Sequence, residues 1–152
     1  MPNQEPWLHP DDIELDVRLP NKRMALEALS GRLAARQGGS RQAVFQALWE
    51  RETLGSTGLG HGVALPHARL PGLATPIAAF LRLHQAIPFD APDDKPVGLV
   101  LGLLLPRRDP QRQLQLLAHI AWLFSDARIR EQIAQVDDAQ TVAKIFAGGP
   151  PT

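Results

Sequence analysis

The chain is 152 residues long, the size of one ordinary domain and enough to bury a core. Its 16 Lys and Arg balance 16 Asp and Glu, so no net field favours nucleic acid or an anionic membrane. It has no cysteine, which removes disulfides and thiol chemistry, and its longest apolar run, Val97–Leu105, is nine residues, far short of the ~20 needed to span a bilayer. The first residues lack the basic-then-apolar layout of a signal peptide, and a soluble, cytoplasmic protein without membrane insertion is expected.

Residues 1–12 contain three prolines and little to bury, and are expected to form a flexible tail ahead of a single domain over residues 13–147. Ile13, Leu15, Val17 and Leu19 alternate with polar residues, the pattern of a strand with one wet face. Asn21 is a suitable N-cap for a helix through Leu26, Leu29 and Leu33, stopped by Gln37-Gly38-Gly39. Ser40 then caps a second helix with Val44, Leu48 and Glu52 along one stripe, beside Phe45 and Trp49.

That helix delivers the chain to Gly55-Ser56-Thr57-Gly58-Leu59-Gly60-His61-Gly62-Val63-Ala64-Leu65-Pro66-His67. Its glycines read as a shaped loop, Val63–Leu65 as a short buried strand, and Pro66 as its stop, which leaves His67 at a strand end. A histidine so placed suits a general base, a metal ligand or a nucleophile carrying a covalent group; the plain alternative is a residue that merely caps the strand. The five histidines show no metal-protease spacing, there is no Gly-x-Ser-x-Gly elbow, and no metal or cofactor is expected. Covalent phosphoryl carriage asks for one surface imidazole and nearby donors, which Ser56, Thr57 and the glycine N–H groups supply. Arg51 matches phosphate oxygens well, against the alternative of a solvated charge at a helix end.

After His67 the chain passes through a proline-punctuated link to a strand over Ile77–Leu83, ending near an idle His84. A turn-rich stretch leads to Val97–Leu105, whose continuous apolar character suits a central strand covered on both faces. Asp109-Pro110 has the form of a cap and first-turn proline for a largely buried helix, with Leu114, Leu117, Ala121 and Phe124 on one side and a packed His119. Asp126 begins a short helix to Ile133, Thr141–Phe146 forms the last one, and residues 148–152 are expected to fray.

The Leu54–Gly60 and Gly62–His67 segments resemble the signature of the type-2 enzyme IIA family. Those are the mannitol/fructose-type and nitrogen-regulatory IIA components of the bacterial phosphoenolpyruvate-dependent phosphotransferase system. Pro88-Phe89-Asp90-Ala91, Lys95-Pro96-Val97 and the run to Leu105-Pro106 resemble the family's second block. The similarity covers about residues 13–147 and implies a single α/β domain, a mixed β-sheet flanked by helices on both faces. It also implies that His67 accepts a phosphoryl group from the phosphocarrier protein, with Arg51, Ser56 and Thr57 in support. The group would pass to a IIB component, or the phosphorylation state would act on regulatory targets. A stand-alone chain of this length resembles the nitrogen-regulatory branch more than a sugar-specific component.

Two positions depart from the family pattern. Gln113 stands where many members carry a second histidine; its amide donates hydrogen bonds but carries no charge. Gly98 replaces the usual Asp after Pro-Val. The first departure keeps a rival open, a regulatory binding module that no longer transfers phosphate, beside a sugar-delivering IIA. Oligomeric state and downstream target are not legible in the sequence.

Overall fold

The computed structural model describes residues 7–148. Strand β1 (Ile13–Val17) leads to helices α1 (Lys22–Gln37) and α2 (Arg41–Thr53), then to the short strands β2 (Gly58–Gly60), β3 (Val63–Ala64) and β4 (His67–Leu70). The long strands β5 (Ile77–Ile87) and β6 (Val97–Pro106) follow, and α3 (Pro110–Ser125), α4 (Ala127–Gln135) and α5 (Ala139–Ala147) complete the chain. The strands form one mixed sheet in the order β1-β5-β6-β3-β2, with β4 also pairing β6. This is the α/β architecture expected.

The apolar run of β6 is the centre of that sheet, antiparallel to β5 and parallel to β3 and β4. Side chains alternate across a strand, so its residues serve two cores. Val100 and Leu104 pack with α1 and α2, while Leu99, Leu101, Leu103 and Leu105 pack with α3, α4 and α5. Gly102 faces α1, where a Cβ would come within 3.0 Å of both terminal methyls of Leu29; its missing side chain lets that helix lie close. The caps follow the sequence at α1 and α2: Asn21 accepts from the Met24 N–H, Ser40 accepts from the Ala43 N–H, and Gly38 ends α1 in the left-handed region.

Several expectations are corrected. Residues 7–12 are packed rather than a tail: Leu8 is buried, Trp7 meets Phe146 edge-on, and Asp12 binds Arg36 at 2.7 Å. Residues 1–6 and 149–152 of the two expected tails lie outside the described residues. Strand β5 continues past His84 to Ile87, because the sheet partner β6 supplies Val97 opposite that end. Helix α3 is not largely buried; Ile120, Leu123 and Phe124 face the core, whereas Leu114 is 60% exposed. Asp109 precedes α3 in a left-handed conformation and makes no side-chain cap bond, so Pro110 alone carries the start signal.

Candidate functional site

Strands β3 and β4 are one interrupted line along β6. Ala64 lies opposite Val100 and His67 opposite Leu103, so the register is unchanged across the break. The interruption falls at Leu65-Pro66 because proline has no N–H to give the ladder. Its carbonyl still accepts from the Leu103 N–H at 2.9 Å, which keeps the line straight. His67 therefore opens β4, a correction to its expected place at a strand's end.

The Leu65 carbonyl, freed from the ladder, meets His67 Nδ1 at 2.8 Å. A carbonyl has no proton to give, so Nδ1 carries the hydrogen and Nε2 keeps the lone pair. The ring is half-buried, and burial holds its pKa below the usual 6.5. The Leu65 hydrogen bond opposes that shift, Arg51 reinforces it, Glu52 opposes it and Arg69 reinforces it. At neutral pH the site presents a neutral imidazole with one nucleophilic nitrogen.

The loop before it is anchored by a carboxylate. Glu52, buried at the end of α2, accepts from the Thr57 N–H at 3.0 Å and from the Thr57 hydroxyl, and pairs with Lys22 Nζ at 2.7 Å. The Thr57 carbonyl in turn accepts from the Leu65 N–H at 3.0 Å. Ser56 Oγ donates to the Phe89 carbonyl at 2.8 Å and accepts from the Gly58 N–H at 3.0 Å. Lys22 also reaches the Phe89 carbonyl at 3.3 Å and sits 4.8 Å from the centre of the Phe89 ring. The Pro88–Ala91 segment is thus the second wall of the loop.

These bonds change the roles read from sequence. The Ser56 and Thr57 hydroxyls are spent on the scaffold, as are the N–H groups of Gly55, Thr57 and Gly58. None of them forms a ready phosphate cradle in this state. Arg51 lies beside the site; its Nη1 donates to the Gly55 carbonyl at 2.9 Å, which uses one of its several N–H donors. Gln113 is buried at the start of α3, and its amide nitrogen donates to the Pro106 and Arg108 carbonyls. Those bonds close the turn from β6 into α3, so Gln113 does not offer the amide donor expected of it; its Oε1 is buried without a partner among the described residues. Among the remaining histidines, His61 and His84 are exposed, and His119 Nε2 lies 3.3 Å from the Phe146 carbonyl.

Glu52 and Lys22 escaped the sequence reading. Glu52 sat on a stripe otherwise made of Val44 and Leu48, and a carboxylate on an apolar stripe is itself a signal of a buried partner. Lys22 had no such signal, since a lysine in a first helical turn looks like a solvated charge.

The chain is similar to known proteins over nearly its whole length. The sequence profile of "Phosphoenolpyruvate-dependent sugar phosphotransferase system, EIIA 2" matches residues 7–148. A nitrogen regulatory protein of Bradyrhizobium diazoefficiens is 37% identical over 143 residues, 94% of each chain. A fructose-specific EIIA component of Haloferax volcanii is 36% identical over 107 residues, 70% of each chain. The crystal structure of nitrogen regulatory protein IIA-Ntr from Neisseria meningitidis superposes with a TM-score of 0.89 at 39% identity, covering 91% of this chain and 95% of that one. With the profile matched over nearly its whole length, the chain belongs to the EIIA 2 family of the phosphoenolpyruvate-dependent sugar phosphotransferase system.

Proposed function

We propose that the protein is a phosphohistidine carrier that takes a phosphoryl group on Nε2 of His67 from the phosphocarrier protein. The observation that carries this reading is the Leu65 carbonyl on Nδ1, which leaves one unprotonated nitrogen for attack. In the transfer the Nε2 lone pair forms a bond to phosphorus as the donor's N–P bond breaks in line. The donor ring, protonated on its second nitrogen, leaves as neutral imidazole, so no proton need move, and its positive charge appears on the His67 ring. The Leu65 carbonyl meets that charge through Nδ1–H, and Arg51 provides a guanidinium for the phosphoryl oxygens. Leu54, 84% exposed immediately before the loop, offers the donor protein an apolar foothold.

Downstream, the regulatory reading is favoured by the nitrogen regulatory relatives, which align over nearly the whole chain. The protein then acts in the cytoplasm through its phosphorylation state on nitrogen, carbon or potassium regulation. Among the described residues no helix is long and apolar enough to cross a membrane. The fructose-specific relative keeps a second reading in view, delivery to a separate IIB component. Intact-mass measurement after incubation with phosphoenolpyruvate, enzyme I and the phosphocarrier protein tests the proposal. One acid-labile phosphoryl group on the wild type and none on His67→Ala is expected. An unlabelled wild type refutes phosphoryl carriage and leaves a binding module, while onward transfer to a sugar-specific IIB replaces the regulatory reading.

A further inference from the structure

We propose that Glu52 is the positioning residue for His67, acting through Thr57 and Leu65 and braced by Lys22, so that only Nε2 is nucleophilic. The inference deepens the phosphocarrier reading, since it concerns the same imidazole, but its main test needs no phosphoryl donor.

The chain of contacts is continuous. Lys22 Nζ lies 2.7 Å from the Glu52 carboxylate, with both side chains largely shielded, at 16% and 3% exposure. Glu52 grips Thr57 at both its N–H and its hydroxyl, which fixes the residue against rotation as well as translation. The Thr57 carbonyl holds the Leu65 N–H at 3.0 Å, and the Leu65 carbonyl holds His67 Nδ1 at 2.8 Å. Leu65 cannot be held by its place in the sheet alone, because the ladder is broken at Pro66. Without Thr57, its free carbonyl would have no reason to point at the ring. A free neutral imidazole exchanges its proton between both nitrogens, so the direction of this one carbonyl sets which nitrogen attacks.

The opposite end of the relay is tied just as firmly. Lys22 reaches the Phe89 carbonyl at 3.3 Å and the Asp90 carboxylate at 3.4 Å, and Ser56 Oγ donates to the same Phe89 carbonyl. The α1 start, the α2 end, the glycine loop and the Pro88–Ala91 segment therefore meet at one buried ion pair. An ion pair costs desolvation that an apolar contact would avoid, and its retention here fits a task of orientation rather than of stability alone.

The experiment is long-range 15N NMR of the His67 ring in the full chain, for wild type, Glu52→Gln, Thr57→Val and Thr57→Ser, with initial phosphorylation rates on the same samples. Arg51, Glu52 and Arg69 are the charges that act on this ring, and only Glu52 changes among the variants. The wild type is expected to show the Nδ1–H tautomer alone. Glu52→Gln and Thr57→Val are expected to populate Nε2–H and to slow phosphorylation on the order of 10²-fold, the scale of a 1 Å misplacement. Thr57→Ser keeps the hydroxyl and is expected to restore both readouts. Folded Glu52→Gln and Thr57→Val proteins that keep the wild-type tautomer overturn the proposal, as does a Thr57→Ser protein that behaves like Thr57→Val. If Glu52→Gln does not fold, Thr57→Val decides alone. A wild type that shows the tautomer but takes no phosphoryl group refutes the carrier function and leaves the positioning role standing.

Discussion

Gly58→Ala tests whether the loop is clamped from its far side. A Cβ at Gly58 would lie 2.8 Å from Ala91 Cβ, 2.9 Å from Ala91 Cα and 3.2 Å from Ser56 Oγ. The carbon–carbon optimum is ~3.5–4.0 Å, so the two segments must part by roughly 1 Å. Ala91 is 4% exposed and packed in the core beside Phe89, so it cannot give way towards solvent. The displacement falls on the loop, which is pulled from Glu52 at Thr57. Overpacking of this kind costs about 1–3 kcal/mol. A 1 Å error at the nucleophile costs about 10²-fold in rate. Urea denaturation measures the first, and initial phosphorylation rates by intact mass measure the second. Adding Ala91→Gly removes the shortest contact but leaves the 2.9 Å approach to Cα, so partial recovery of both is expected. Wild-type stability and rate in Gly58→Ala, or no recovery in the double variant, would refute the clamp.

The His67 ring should titrate below 6.5 by NMR, since burial is the leading cause of its shift. Its folded pKa lies below its unfolded value, so the unfolded state binds the proton first. Stability is then unaffected above about pH 6.5 and falls as the pH drops from there towards the folded pKa. His67→Ala should abolish that part of the acid limb in denaturation curves, and an unchanged limb would contradict it. Gln113→His supplies a charged donor where the wild-type amide is spent on two carbonyls, and should alter the rate of phosphorylation or the lifetime of the phosphohistidine. If both stay at wild-type values, Gln113 is a turn residue and nothing more. Arg82 is 5% exposed and donates to the Ile133 and Val136 carbonyls and to Asp16. Arg82→Ala strands those carbonyls at the end of α4 and should cost on the order of 3 kcal/mol in urea, with no loss of phosphorylation per folded molecule.

Periodicity made the frame legible. Leu99–Leu105 alternates between two cores as a buried strand must, and Asn21, Ser40 and Gly38 cap where their chemistry directs. What misled was local chemistry overruled by packing. The prolines at 2, 6 and 10 suggested a loose start, yet Trp7 and Leu8 supply apolar surface that the α3–α5 core takes up. In α3 both apolar stripes looked inward, but one helix cannot bury its whole circumference against a single sheet face, and Leu114 was left outside. At the site, position was readable and partnership was not. Nothing in Ser56 or Thr57 says whether a hydroxyl faces a ligand or the scaffold. That depends on Glu52, Lys22 and Phe89, which reach the loop only after folding.

A phosphohistidine carrier must accept a phosphoryl group and then not lose it to water. The carboxylate whose charge reaches the His67 ring is Glu52, and a free carboxylate there would be a candidate base for activating water. Glu52 is instead buried at 6% exposure, with its oxygens occupied by the Thr57 N–H, the Thr57 hydroxyl and Lys22. The same contacts that aim the Leu65 carbonyl at Nδ1 therefore also keep this carboxylate from acting as a base. Ser56 and Thr57, the other oxygen nucleophiles of the loop, are held in the same scaffold. Arg51, whose charge also acts on the ring, is a guanidinium that can bind phosphoryl oxygens and cannot take a proton from water. On the proposed reading, the loop spends its reactive side chains on its own shape, which leaves a site equipped to take phosphate from a donor imidazole and poorly equipped to pass it to water.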